Sequence, residues 1–298
     1  MFRKIVVGID GLDGGEDALA LARVLAGEEA EIVAINAFPH DTHRTRASAP
    51  GYENLIREGA LEMVRRVAAG IDGVQVLVVG DLSPARALHD AAEREHADLI
   101  VIGSCRRGAV GSVLLGDVSR STMHGAPCPV VIAPRHYREH PQLIRLIGAG
   151  YNHTAESEAA VRFAAGLAKE VGGELRLLSA VPAPAAFSAA AYSYSPDLAE
   201  ISAEQLAQAK GELDALAAAV DVAASTYAIQ GSGAHELAEL SKHVDIVVAG
   251  SRGWGAAHRV LLGSTTDWLA HHAASPLVVV PSPVHEQIDD SEAEAIHA

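Results

Sequence analysis

Asp98-Leu99-Ile100-Val101-Ile102-Gly103-Ser104 recurs 147 positions later as Asp245-Ile246-Val247-Val248-Ala249-Gly250-Ser251. Each copy is an acid, a short apolar run and a Gly-Ser end. An apolar run of this length bounded by turn residues reads as a strand buried on both faces, as in a parallel sheet. The same offset carries Gly108 to Gly255, Leu115 to Leu262, Gly116 to Gly263, Pro129 to Pro276 and Pro134 to Pro281. A constant offset over so many positions means that the chain is duplicated.

Working outward, both halves run through the same order of elements. In half one, strands are expected at Ile5–Ile9, Ile32–Phe38, Val74–Val79, Leu99–Ile102 and Pro129–Ala133. Helices are expected at Gly14–Ala26, Tyr52–Ala69, Pro84–Glu95 and Asp117–His124. The first of these has its apolar residues at helical spacing, through Ala18, Leu21, Ala22 and Leu25. In half two, strands are expected at Leu146–Tyr151, Glu174–Val181, Val222–Ile229, Val244–Ala249 and Leu277–Val280, with helices at Glu156–Glu170 and Leu198–Val220. Strands alternating with helices of this length imply βαβ units. The expected fold is α/β: two tandem open, mostly parallel five-stranded sheets with helices on both faces, Rossmann-like. Near the start of each half the offset is 142, taking Gly8 to Gly150 and Asp10 to Asn152. Loop lengths absorb the difference, chiefly in the Pro/Ala/Ser/Tyr-rich stretch Pro182–Pro196, which reads as mobile. The expected domains are 1–137 and 142–284, followed by an acidic tail, 285–298, whose composition reads as disordered.

Composition narrows the function. The chain has 298 residues, enough for two domains, and 49% of them are hydrophobic but only 4% aromatic. Its cores must therefore be Val, Ile, Leu and Ala. Lys and Arg number 23 against 38 Asp and Glu, a formal net charge of -15. Such a surface repels nucleic-acid backbones at long range. The only two cysteines, Cys105 and Cys128, have no metal-ligand spacing, so no metal site is indicated, and their scarcity suits a reducing compartment. No apolar run approaches a membrane span, and Asp10 interrupts the N-terminal run before it could form a signal peptide. A cytoplasmic protein with no membrane partner is expected.

The chemistry concentrates after the fourth strand of half two: Gly250-Ser251-Arg252-Gly253-Trp254-Gly255, then Gly263-Ser264-Thr265-Thr266. In open parallel sheets, ligands bind outside the carboxyl ends of strands, where strand order reverses. Glycines there let backbone amides approach an anion, and a helix starting at Gly263-Ser264 adds free N–H groups and the positive end of its dipole. The hydroxyls of Ser264, Thr265 and Thr266 are further donors.

This segment resembles the universal stress protein family, whose nucleotide-binding members share Gly-x2-Gly-x9-Gly-[Ser/Thr]. Gly250, Gly253, Gly263 and Ser264 match the pattern in full. The resemblance covers about residues 3 to 134 and 145 to 282. It implies the adenine nucleotide alpha hydrolase-like form of the fold, and ATP, with magnesium, as cofactor. It implies phosphate contacts from Gly250, Arg252, Gly253, Gly263, Ser264, Thr265 and Thr266. The adenosine is then expected near Gly150, Tyr151, Asn152, Ala180 and Val181. The family places an Asp at the end of strand one. Half one keeps it as Asp10, whereas half two has Asn152. Half one departs in its loop, Gly103-Ser104-Cys105-Arg106-Arg107-Gly108, where Arg106 replaces the second motif glycine. Gly116 is kept, but Asp117 replaces the Ser; it is expected to cap its helix and to repel a phosphate. Half two is therefore expected to bind nucleotide, and half one to bind it weakly, differently or not at all. Asp10, Ala37, Gly103, Gly116 and Ser119 are its candidate contacts.

The leading expectation is an ATP-binding protein that uses the nucleotide, without efficient hydrolysis, to set conformation or oligomeric state under stress. The resemblance implies homodimers joined through the last strands, an arrangement the two halves can reproduce within one chain. The alternatives are a slow ATPase and a nucleotide-free dimerising scaffold. No Gly-x4-Gly-Lys-[Ser/Thr] is present, so no P-loop lysine is available and no catalytic residue is assigned. A dehydrogenase is disfavoured because the glycine-rich loop follows strand four rather than strand one. His258 and Arg259 near the loop read as solvated, the remaining histidines as surface or helix residues, and Cys128 as a small core residue. Trp254 reads equally as a cap on the loop or as a surface residue.

Overall fold

A computed structural model describes residues 2–40, 51–105, 112–182, 196–251 and 263–281. Half one contains β1 (Phe2–Gly8), α1 (Asp13–Leu25), β2 (Ala26–Phe38), α2 (Tyr52–Val67), β3 (Val74–Gly80), α3 (Pro84–Glu95), β4 (Leu99–Gly103), α4 (Asp117–Met123) and β5 (Val130–Ala133). A 3-10 turn, Tyr137–Glu139, leads to half two: β6 (Leu146–Gly150), α5 (Ala155–Val171), β7 (Glu174–Val181), α6 (Pro196–Ala219), β8 (Ala224–Gln230), α7 (Gly233–Leu240), β9 (Ile246–Gly250), α8 (Ser264–His272) and β10 (Leu277–Val280). The stretch 183–195 and the tail 285–298 fall outside the described residues.

The α/β class holds, but the two sheets are not separate. They form one ten-stranded sheet in the order β3-β2-β1-β4-β5-β10-β9-β6-β7-β8. All pairings within each half are parallel, and β5 joins β10 antiparallel, with Val131 opposite Val278. Each half's last strand covers the other's open edge, so neither β5 nor β10 offers an edge to a further chain. The pairing expected between two chains is made here inside one. Among the described residues no helix is long and apolar enough to cross a membrane.

Both faces of the sheet are buried, which is why its strands read as unbroken apolar runs. On β1, Ile5, Val6 and Val7 are all fully buried. Ile5 and Val7 pack with Leu21 and Ala22 of α1, and Val6 packs with Leu88 and Ala91 of α3 on the other face. In each half the strand order reverses beside the first strand: β1 lies next to β4, and β6 next to β9. Crevices open at those two places.

Helix starts are set by local chemistry. Thr154 and Ser157 form a reciprocal capping box at α5, and Ser83 caps α3 with Pro84 in its first turn. Asp117 departs from expectation: Gly116 is the cap of α4, and Asp117 is the first helical residue. Its carboxylate stands in the first turn, where it complements the helix dipole. The sequence pattern did not reveal α7, since two turns are too short for a periodicity. β2 begins at Ala26, directly after α1, with a register irregularity against Phe2 and Lys4.

The junction between halves is tied to α1. Asp17 is buried, and its carboxylate accepts from the amides of His136 (2.8 Å) and Arg138 (3.0 Å) and from Arg138 Nη1 (3.1 Å). The Arg138 guanidinium also pairs with Asp13 and Glu16.

Candidate functional site

A cleft of about 750 Å³ opens at the carboxyl ends of β6, β7 and β9. Gly150, Tyr151, Asn152, Ala180, Val181, Gly250, Gly263, Ser264, Thr265 and Thr266 all line it. Four segments far apart in sequence thus meet where strand order reverses. Arg252, Gly253, Trp254, His258 and Arg259 lie outside the described residues.

The anion-facing end is the start of α8. Gly263 is its cap residue, and among the described residues no side chain caps the helix. The first-turn amides of α8 thus remain donors with the positive dipole end behind them. Ser264 is exposed and Thr265 partly exposed. Thr266 differs from expectation. It is buried, and its Oγ1 donates to the carbonyl of Gly250 at 2.8 Å, so its proton is already committed. Ser119 makes the equivalent bond to Gly103 in half one, at 3.2 Å. These hydroxyls tie the helix to the strand end.

Gly250 has a packing reason for lacking a side chain. A Cβ there would lie 2.5 Å from the carbonyl oxygen of Glu156 in α5. At Gly103 the corresponding clash would be 2.1 Å, with the carbonyl of Gly14. In both halves the first helix presses directly on the end of the fourth strand, so these glycines secure close helix packing.

At the other end, the Asn152 Oδ1 accepts from Thr154 Oγ1 at 2.9 Å. Its counterpart Asp10 uses Oδ1 to take the amides of Leu12 (2.9 Å) and Gly15 (3.1 Å), anchoring the start of α1. His153 adopts a left-handed backbone with φ 62°, where the other half has Gly11 at φ 75°. That conformation costs an ordinary residue about 1 kcal/mol. Its ring packs edge-on to Tyr151, with centroids 4.7 Å apart, and Nε2 lies 2.7 Å from Glu212 of α6. Burial, reinforced by the negative charges of Glu158 and Glu212, raises the Tyr151 hydroxyl above its ordinary pKa.

Sequence reasoning missed the α6 wall. Gln205, Gln208, Ala209 and Glu212 all line the cleft. Their 3-1-3 spacing places them on one helical face, and that was the available signal. Glu156 and Glu212 are acidic, and among the described residues no lysine or arginine lines the cleft. An anion there would rely on main-chain amides.

Half one has a smaller cleft, about 280 Å³, lined by Asp10, Ala37, Gly103 and Ser119 among others. Gly116 is not among its lining residues. Arg106 and Arg107 lie outside the described residues. No group of His, Cys, Asp and Glu that could hold a metal occurs among the described residues.

A family model for the universal stress protein family matches residues 1–134 and again 144–281. The chain belongs to the universal stress protein family. It is the tandem form, with two copies of the family unit. A universal stress protein of Mycobacterium tuberculosis is 26% identical over 241 residues, which is 77% of this chain and 80% of the relative. A universal stress protein of Thermus aquaticus is 34% identical over 139 residues, 44% of this chain and 98% of its own length. The crystal structure of a universal stress protein from Archaeoglobus fulgidus superposes with a TM-score of 0.66 at 20% identity. It covers 94% of this universal stress protein and 98% of that chain, a likeness of fold.

Proposed function

We propose that the half-two cleft binds an adenine nucleotide, ATP, with its phosphates on the first turn of α8. The observation that carries this is the helix start at Gly263 to Thr265, which no described side chain caps, opening into a cleft at the strand-order reversal. The cleft continues past Gly150, Asn152, Ala180 and Val181 to the α6 wall, which leaves room for a nucleoside beside the phosphates. Arg252 and Gly253 belong to the same loop and complete the phosphate contacts in this reading. With two carboxylates and no described cation in the lining, magnesium is the natural counter-charge for a triphosphate, held on the phosphates themselves.

Binding without efficient turnover is the reading the residues favour. Among the described lining residues no lysine stands to neutralise charge at a transferring phosphoryl group. The carboxylate of Glu212 is engaged by His153. In this reading the nucleotide sets a conformational or assembly state of the protein, which acts in the cytoplasm through protein partners. Half one binds nucleotide weakly or not at all. Its cleft is smaller, and Asp117 brings a carboxylate to the helix start where Ser264 stands in half two. A homodimer, if it forms, uses a surface other than β5 and β10.

The test uses purified full-length protein with ATP and magnesium. Released nucleotide is identified after denaturation, and the melting shift and phosphate release are followed together. Saturable stabilisation at one site per chain, without sustained phosphate release, is expected. Sustained turnover would replace this reading with an ATPase, and no response at millimolar ATP would leave a nucleotide-free scaffold.

A further inference from the structure

The two halves meet about a pseudo-twofold axis that brings some residues against their own counterparts. Val131 faces Val278, 147 positions away. Arg120 and Asp267 are separated by the same 147 positions, and they too meet: Arg120 Nη2 lies 2.9 Å from Asp267 Oδ1, a contact of opposite charges without hydrogen-bond geometry. In a pair of identical units this position would set like charge against like charge. In the tandem chain it carries opposite charges.

Asp267 stands in the first turn of α8, next to Thr266 of the cleft. A carboxylate in that turn suits the helix dipole but opposes an anion bound at the same amides. Arg120, on α4 of half one, supplies the compensating charge. Half one also holds the far end of α8. The Leu115 amide donates to the carbonyl of Ala270 at 3.1 Å, and the Val113 amide to that of Ala273 at 2.9 Å. These are carbonyls that a helix end otherwise leaves unpaired. Val113 and Leu115 are buried in one apolar cluster with Leu269, Ala270 and Ala273.

We infer that half one is a clamp on α8, gripping its last turn through Val113 and Leu115 and its first through Arg120, and that Arg120 is a positioning residue for the half-two cleft. The half with the altered loop therefore keeps a structural role, fixing the height and rotation of the helix whose start faces the cleft. The clamp is a property of the protein without ligand. Only its effect on affinity rests on the nucleotide reading.

Hydrogen exchange on the ligand-free, full-length protein tests it. In Arg120→Ala, the hydrogen-bonded amides of residues 267–270 should exchange several-fold faster than in the parent, those of β1, β2 and β3 should be unchanged, and Arg120→Lys should return most of the protection. Unchanged exchange in α8, or an equal rise across both halves, overturns the clamp. In the same variant, affinity for ATP should fall about threefold, the scale of one charge at a helix end. Affinity for adenosine, which carries no phosphate, should not change; equal losses for both ligands would overturn the charge-compensating role. If the parent protein takes no ATP, the nucleotide reading falls while the exchange result still decides the clamp.

Discussion

Replacing Ser264 with Asp should move stability and ligand affinity in opposite directions. Ser264 is exposed at the first position of α8, behind a cap residue that supplies no side-chain bond. Half one already has this arrangement with Asp117 at the start of α4. A carboxylate in the first turn gains about 0.3 to 1 kcal/mol from the helix dipole, so Ser264→Asp without ligand should melt at the same temperature or slightly higher. A phosphate resting on the same amides would lie roughly 5 Å from the new carboxylate, where each charge pair costs about 1 kcal/mol in water-like surroundings. For a phosphate group near two charges the loss is about 2 kcal/mol, or roughly thirtyfold in Kd. The assay is a thermal melt without ligand, paired with calorimetric titration of ATP and of adenosine. The ATP penalty should shrink as salt is raised, and adenosine affinity should stay within a factor of about two. A Kd for ATP within about threefold of the parent, in a variant that folds normally, would refute phosphate binding at the start of α8.

Three further outcomes follow from packing and charge. Gly250→Ala should destabilise by about 2 kcal/mol in denaturant titration, because its Cβ would meet the Glu156 carbonyl at 2.5 Å; Gly166→Ala, exposed in α5 with nothing within 4 Å, should instead stabilise by about 0.5 to 1 kcal/mol. Asp17→Ala should cost about 2 to 3 kcal/mol, since it strands the amides of His136 and Arg138 and removes the buried one of three carboxylates around the Arg138 guanidinium at the junction of the halves; an unchanged unfolding midpoint would contradict that account. Burial pushes the Cys128 thiol up to about 12 from an ordinary 9.0. A raised folded pKa gives stability that is fully present below 9.0 and lost as pH climbs toward 12, because only the unfolded chain ionises there. Cys128 should therefore resist alkylation at pH 8 until the protein unfolds, and Cys128→Ala should flatten the fall in stability on the alkaline side.

The duplication and the parallel βαβ order were legible in the chain, and Gly250 and Gly263–Thr266 could be picked out as candidate site residues that line one cleft. Buried parallel strands such as Leu99–Ile102 and Ile246–Ala249 must be apolar on both faces, so they stand out as runs. The short α7 and the α6 wall escaped because two turns show little period, and because Gln205, Gln208 and Glu212 look like any solvated helix face until the cleft lies beneath them. Other properties depended on where backbones meet in three dimensions. Only the fold showed that Gly250 is small because Glu156 presses on it, and that the Thr266 hydroxyl is already committed to the Gly250 carbonyl. Only the fold joined the two sheets through Val131 and Val278 and set Arg120 against Asp267. Local composition records which faces must avoid water, and so determines the elements and their order. Which distant residues then share a face, a bond or a charge depends on how those elements pack, and the same local sequence is compatible with many answers until they do.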